Sequence, residues 1–150
     1  MTTNLPNIPF WFPIAVFASV LFISGILSTR SGWRRIAARF PDRDGAEHRK
    51  YFPVRMSLGI GTVPVAYGGC VIVRLHPDGL GLKVIFPIRF MHPPLFIPWS
   101  EVAGCAREYT ARYDVTRVTI RNEDSILSFY GKVGEDIYST YLSRDRKGKP

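Results

Sequence analysis

Hydrophobic residues follow three regimes along this chain. From Phe10 to Thr29 they run almost without interruption, FWFPIAVFASVLFISGILST, with no charge in twenty residues. From Trp33 to Phe40 they fall on one side of a helix, with Trp33, Ile36, Ala37 and Phe40 at i, i+3, i+4 and i+7. From Tyr51 onward they form short β-branched and aromatic runs divided by turn residues, which is the pattern of strands.

The first regime predicts a membrane-crossing helix over residues 10–29. A helix rising 1.5 Å per residue needs about 20 apolar residues to cross a hydrocarbon layer of about 30 Å. A core helix of that length would keep a polar stripe, and only scattered serines interrupt this one. Pro9 and Pro13 sit near its start, where a missing N–H costs little. A cleaved signal peptide would show a basic leader, a shorter apolar run and a small-residue cleavage site. The preceding MTTNLPNIP has no Lys or Arg. The expectation is an uncleaved anchor preceded by a short extracytoplasmic tail, residues 1–9.

The second regime, SGWRRIAARFPD, reads as a helix continuing straight out of the span until Pro41 ends it. Its apolar stripe either lies in the headgroup zone, with Trp33, Arg34, Arg35 and Arg39 as the membrane-surface residues, or packs on the chain's own soluble domain. The charged linker DRDGAEHRK follows, so residues 30–50 form a juxtamembrane helix and linker.

In the third regime FPVRMSLG is a strand and GIGTVPVAYGG an irregular, glycine-rich stretch. GCVIVRL and LGLKVIF are strands joined at His-Pro-Asp-Gly, where proline presets φ and glycine accepts positive φ. VAGCAREYT, RYDVTRVTIR and SILSFYG follow, and GEDIYSTYLSR is a helix with Ile137, Tyr138, Tyr141 and Leu142 on one side. Six or seven strands in roughly 100 residues predict a small antiparallel barrel or sandwich over residues 51–143, with the C-terminal helix plugging one open end. Residues 144–150 are expected to fray.

Charge refines the picture. The net charge is +8, but residues 1–29 carry none, while residues 30–55 hold eight Lys/Arg against three Asp/Glu. Basicity gathered just after the apolar run is not the footprint of a nucleic-acid-binding face. By the positive-inside bias it places residues 30–150 in the cytoplasm, beneath the inner membrane. Cys70 and Cys105 are then in a reducing compartment, where a stable disulfide is not expected.

Chemistry-bearing patterns are sparse. His48, His76 and His92 are isolated and lack metal-ligand spacing. There is no Gly-x-Ser-x-Gly elbow. GIGTVP has Pro64 where a dinucleotide loop needs its third glycine. GKVGED holds a Gly-Lys pair without a P-loop, Asp42 and Asp44 read as solvated partners of Arg39 and Arg43, and the basic residues Arg144, Arg146, Lys147 and Lys149 as a solvated end. No enzyme, metal or cofactor is implied. The densest segment is FPIRFMHPPLFIPWSEV, residues 86–102. One reading makes it architecture: Phe86, Phe90, Leu95, Phe96, Ile97 and Trp99 pack core and edge while the prolines fix a bend and block edge pairing. The other makes Arg89, His92 and Trp99 a recognition patch.

Two of these stretches carry a resemblance. Gly32-Trp33-Arg34-Arg35-Ile36-Ala37-Ala38-Arg39-Phe40 is similar to a GW-x-x-LA-x-x-[FY] motif, with Ile36 in place of the usual Leu. His92 to Val102 matches HPPL-x-IPW-[ST]-[ED]-[IV] throughout. With Gly79-Leu80-Gly81-Leu82 they resemble a group of bacterial membrane-anchored proteins whose cytoplasmic domain is a pleckstrin-homology (PH) or GRAM-like barrel. The likeness covers about residues 10–130 and departs at Gly68-Gly69-Cys70, where polar residues are usual. It implies a fold and no activity. The expected function is non-enzymatic recognition of a lipid headgroup or protein segment by a domain tethered at the membrane, where tethering raises its effective concentration. The alternative is a structural subunit whose span pairs with another membrane protein through Ser19, Ser24 and Gly25.

Overall fold

The computed structural model describes residues 9–43, 49–60, 64–109 and 112–148. All but the last residue of the expected tail 1–9, the linker around Asp44 and His48, the Gly61–Val63 part of GIGTVP, and Lys149 lie outside the described residues.

The apolar run forms α1, Trp11–Arg30, with a mean hydropathy of 2.0 over its most apolar window. It is long and apolar enough to cross a membrane. Pro13 occupies its first turn, where its absent N–H removes no helical bond. The helix does not continue straight into the next. Gly32 adopts φ +78°, a left-handed conformation that costs a glycine little, and turns the chain into a separate short helix, α2, Trp33–Arg39.

The apolar stripe of α2 faces the protein. Trp33, Ile36, Ala37 and Phe40 are all buried in the main core. The carbonyl of Phe40 accepts the backbone N–H of Phe96 at 3.1 Å, and Pro41 forms an isolated bridge with Leu95. α2 therefore lies along the edge of the sheet, the second of the two settings open to its stripe.

Among the described residues seven strands follow: β1 Arg49–Ile60, β2 Val65–Leu75, β3 Gly79–Val84, β4 Leu95–Pro98, β5 Val102–Tyr109, β6 Asp114–Ile120 and β7 Ser125–Tyr130. They form one antiparallel sheet in the order β4-β3-β2-β1-β7-β6-β5. The two edge strands β4 and β5 are consecutive in sequence, joined through a single 3-10 turn, Trp99–Glu101. A sheet whose outer strands are tied by so short a link has to curl, and this one is a half-barrel. Alternate residues point inward, among them Val54, Met56 and Leu58 on β1 and Leu80, Leu82 and Val84 on β3.

The glycine-rich stretch expected to be irregular is largely strand. Gly69, at φ +77°, sits where the pairing slips from Val54–Val71 to Arg55–Gly68, so the Gly68-Gly69-Cys70 segment is a β-bulge. The terminal helix α3, Lys132–Gly148, packs on β5, β6 and β7 through Val133 and Ile137. It runs past residue 143, where fraying was expected, and Arg144 reaches Asp78 at 3.4 Å. Gly134 allows its close approach, because a Cβ there would lie 2.7 Å from Thr116 Oγ1.

Candidate functional site: the helix–loop junction

Between β3 and β4 the chain makes a loop containing a 3-10 turn, Ile88–Met91. This loop lies against the C-terminal half of α1, and hydroxyl groups join them. Ser24 Oγ donates to the carbonyl of Ile88 at 2.9 Å, and Ser28 Oγ donates to the carbonyl of Met91 at 2.5 Å. Ser24, Ser28 and Ser31 are all buried. Ser24 and Ser28, at i and i+4 in the apolar run, and Ser31 just past its end form a polar stripe, the signal by which the sequence could have revealed a protein-facing side.

His92 lies at the centre of the junction. Its Nδ1 is 3.0 Å from the carbonyl of Ile88, which can only accept, so Nδ1 carries the hydrogen in that bond. In the neutral ring Nε2 is then an acceptor, and Tyr67 Oη, 3.0 Å away, donates to it. The Tyr67 oxygen in turn accepts from Ser31 Oγ at 2.9 Å. Each hydroxyl has one proton, and this assignment gives each a use. Burial lowers the His92 pKa, only partly offset by the Ile88 carbonyl. Burial likewise pushes the Tyr67 pKa up to about 12. Both effects favour an uncharged network.

Trp33 closes the other side. Its Nε1–H donates to the carbonyl of Pro93 at 2.8 Å, and its ring lies 5.5 Å from Tyr67 and 5.4 Å from His92. The two motif-bearing stretches, Gly32–Phe40 and His92–Val102, thus meet face to face.

This geometry redistributes the residues singled out in the sequence. The headgroup reading put Trp33 at the membrane surface, but its side chain is fully buried and so withheld from headgroups. Arg35 pairs with Glu123 at 2.8 Å, while Arg39 contacts Glu101 at 3.1 Å and the carbonyl of Arg121 at 3.0 Å. Both clamp α2 to the turns between strands, whereas Arg34 is exposed. Arg89, His92 and Trp99 do not form one patch. His92 is buried in the junction, and Trp99 is buried elsewhere with Nε1 donating to the carbonyl of His76 at 3.1 Å. Arg89 is exposed on the 3-10 turn. Ser24 and Gly25, which the structural-subunit alternative turns toward a membrane partner, face the chain's own loop, and Met91 Cγ would lie 3.8 Å from a Cβ at Gly25. Ser19 bonds back to the carbonyl of Ala15 at 2.8 Å.

Phe86 and Phe90, expected in the packing, are 68% and 62% exposed. They border a cleft of about 530 Å³ that is also lined by Ile72, Lys83 and Arg89. Cys70 and Cys105 are free, and burial raises both thiol pKa values, that of Cys105 to about 11, which disfavours the reactive thiolate. Neither protein-family models nor curated proteins give a match to this chain.

Proposed function

We propose that this chain is a single-pass inner-membrane protein whose PH-like β domain faces the cytoplasm and recognises a lipid headgroup or protein segment without catalysing a reaction. The observation that carries the proposal is the surface of α1. Large apolar side chains stand exposed from Trp11 through Phe17 and Phe22 to Ile26, on a helix twenty residues long. A core helix would bury them; a bilayer covers them.

The docking of Ser24 and Ser28 on the loop favours a permanent anchor over a removable leader. Removing α1 would leave the carbonyls of Ile88 and Met91 without those hydroxyls. The curled sheet with a terminal helix against it supports the PH-like assignment implied by the resemblance. Basic residues following the span, Arg30 and Arg34 among them, support a cytoplasmic domain. The structural-subunit alternative loses two of its three residues, Ser24 and Gly25, to the chain's own loop.

C-terminal fusions test location and topology together. The expectation is membrane-fraction recovery resistant to alkaline carbonate, a fluorescent green-fluorescent-protein fusion and an inactive alkaline-phosphatase fusion. An active phosphatase fusion would reverse the orientation, and release by carbonate would remove the span.

A further inference from the structure

We infer that the loop between β3 and β4 is a second membrane-contacting element, one that dips into the cytoplasmic leaflet beside α1 with Phe86, Phe90 and Met91 at its tip. The inference rests on α1 being a membrane span.

Four observations carry it. The first is reach: the Phe90 ring stands 6.2 Å from that of Phe17, in an edge-to-face arrangement. Phe17 lies well before Ser24, so the tip extends up the helix beyond the serine contacts.

The second is length. The part of α1 ahead of Ser24, from Trp11 to Ile23, rises only about 20 Å, short of a hydrocarbon layer of about 30 Å. For α1 to cross, its loop-bound half has to enter the membrane as well, and the loop enters with it.

The third is polarity. Backbone groups at membrane depth need internal partners, because lipid offers none. In this loop Pro87 has no N–H, the Arg89 N–H bonds to the Ile85 carbonyl at 3.0 Å, and the His92 N–H bonds to the Arg89 carbonyl at 3.0 Å. The hydroxyls of Ser24 and Ser28 cap the carbonyls of Ile88 and Met91. A loop turned toward water would gain little from such caps.

The fourth is continuity. Phe86 and Phe90 pack against each other at 5.8 Å, and with Met91 they extend the exposed apolar face of α1. Charge sets the depth. Arg89 is exposed on the same turn and lines a cleft with Lys83. A guanidinium at mid-membrane is costly, whereas one reaching the phosphate level is favoured. The loop therefore enters from the cytoplasmic side, as deep as the contact of Phe90 with Phe17, and does not cross.

Depth-dependent quenching tests this. The full chain, with Cys70 and Cys105 replaced by Ala, receives a single nitrobenzoxadiazole-labelled cysteine through Phe90→Cys, Phe17→Cys or Tyr109→Cys. It is reconstituted in phosphatidylcholine–phosphatidylglycerol vesicles containing lipids spin-labelled high on the acyl chain. The label at Phe90→Cys should be quenched several-fold more than that at Tyr109→Cys, and aqueous iodide should barely reach it. Iodide quenching at Phe90→Cys with lipid quenching at Phe17→Cys would overturn the loop's insertion and leave the span intact. No lipid quenching at either site would remove both. Shielding of Phe90→Cys from lipid and iodide alike would mean that protein, such as a second copy of this chain, covers the tip, which also overturns the inference. The unsubstituted chain provides an independent readout: an acyl-chain diazirine phospholipid should leave adducts on residues 86–91, and adducts confined to α1 would overturn the insertion.

Discussion

The indole nitrogen of Trp33 lies 2.8 Å from the carbonyl oxygen of Pro93, and this bond ties together two stretches sixty residues apart in sequence. It joins the helix that follows α1 to the loop that lies along α1, so one side chain holds both in register. Trp33→Ala should cost about 3–5 kcal/mol, as expected for a fully buried large aromatic. Trp33→Phe keeps most of the packing and should cost less, about 1–3 kcal/mol for the carbonyl left without its donor. Thermal unfolding in detergent, with both variants beside the parent, measures the order. Equal losses would show that the hydrogen bond decides and the packing does not.

The serine caps make a local prediction. Replacing Ser24 and Ser28 together by Ala should cost about 1 kcal/mol per lost bond. The loss should be concentrated in the loop rather than spread over the sheet. Hydrogen exchange should therefore accelerate at residues 85–92 while the amides of β1 and β2 keep their protection. Uniform acceleration would mean that α1 stabilises the whole domain.

Acid should weaken the junction. His92 has its pKa lowered in the folded protein by burial, while in the unfolded chain it titrates near the ordinary value of about 6.5. The unfolded state therefore binds the proton more readily. The contribution of His92 is complete above about pH 6.5 and is lost as pH falls from there toward the lower folded value. Unfolding midpoints measured from pH 8 to pH 5 should be flat at first and then decline. His92→Gln, which cannot take up the proton, should reduce the slope of the decline even if it lowers the plateau. An unchanged slope would place the acid sensitivity elsewhere.

The arginines of α2 should separate into two kinds. Arg39 meets Glu101 and Glu123, and Arg35 meets Glu123, whose side chain is nearly buried. Arg39→Ala should destabilise by up to about 1 kcal/mol, the modest value of partly exposed ion pairs. Arg34→Ala should leave stability within about 0.5 kcal/mol of the parent. Chemical denaturation gives both values. Retention of phosphatidylglycerol on the purified chain, read by native mass spectrometry, should fall for Arg34→Ala if Arg34 contacts headgroups.

Most of the strands and both long helices were legible because their signals are local, whereas β4 lay hidden in the proline-rich run before Trp99. Pro77-Asp78-Gly79 marks the β2–β3 turn, and the uncharged run from Phe10 marks α1. The stripe on α2 announced that something covers it but not what, since headgroups and a sheet edge both accept Trp33 and Ile36. The glycine-rich stretch hid a strand because glycine speaks for flexibility only when nothing crowds it. Here a Cβ at Gly59 would lie 2.4 Å from Pro64 Cα, so that glycine lets β1 approach the backbone just before β2. The site itself was the least visible part. Ser24 read as a residue for pairing with another span and Ser28 as one scattered serine, until Ile88 and Met91, more than sixty residues later, supply their partners.

The serine contacts also bear on how the domain moves. A domain on a flexible tether samples every orientation, and its surfaces take turns facing the bilayer. This one is seated on its helix by Ser24 and Ser28 and wedged by Trp33 just beyond the turn at Gly32. With α1 in a bilayer, the half-barrel becomes a lever rigidly fixed to its axle. A thicker or thinner membrane that alters the tilt of α1 then swings the far end of the sheet through the same angle, converting bilayer thickness into the height and attitude of the domain.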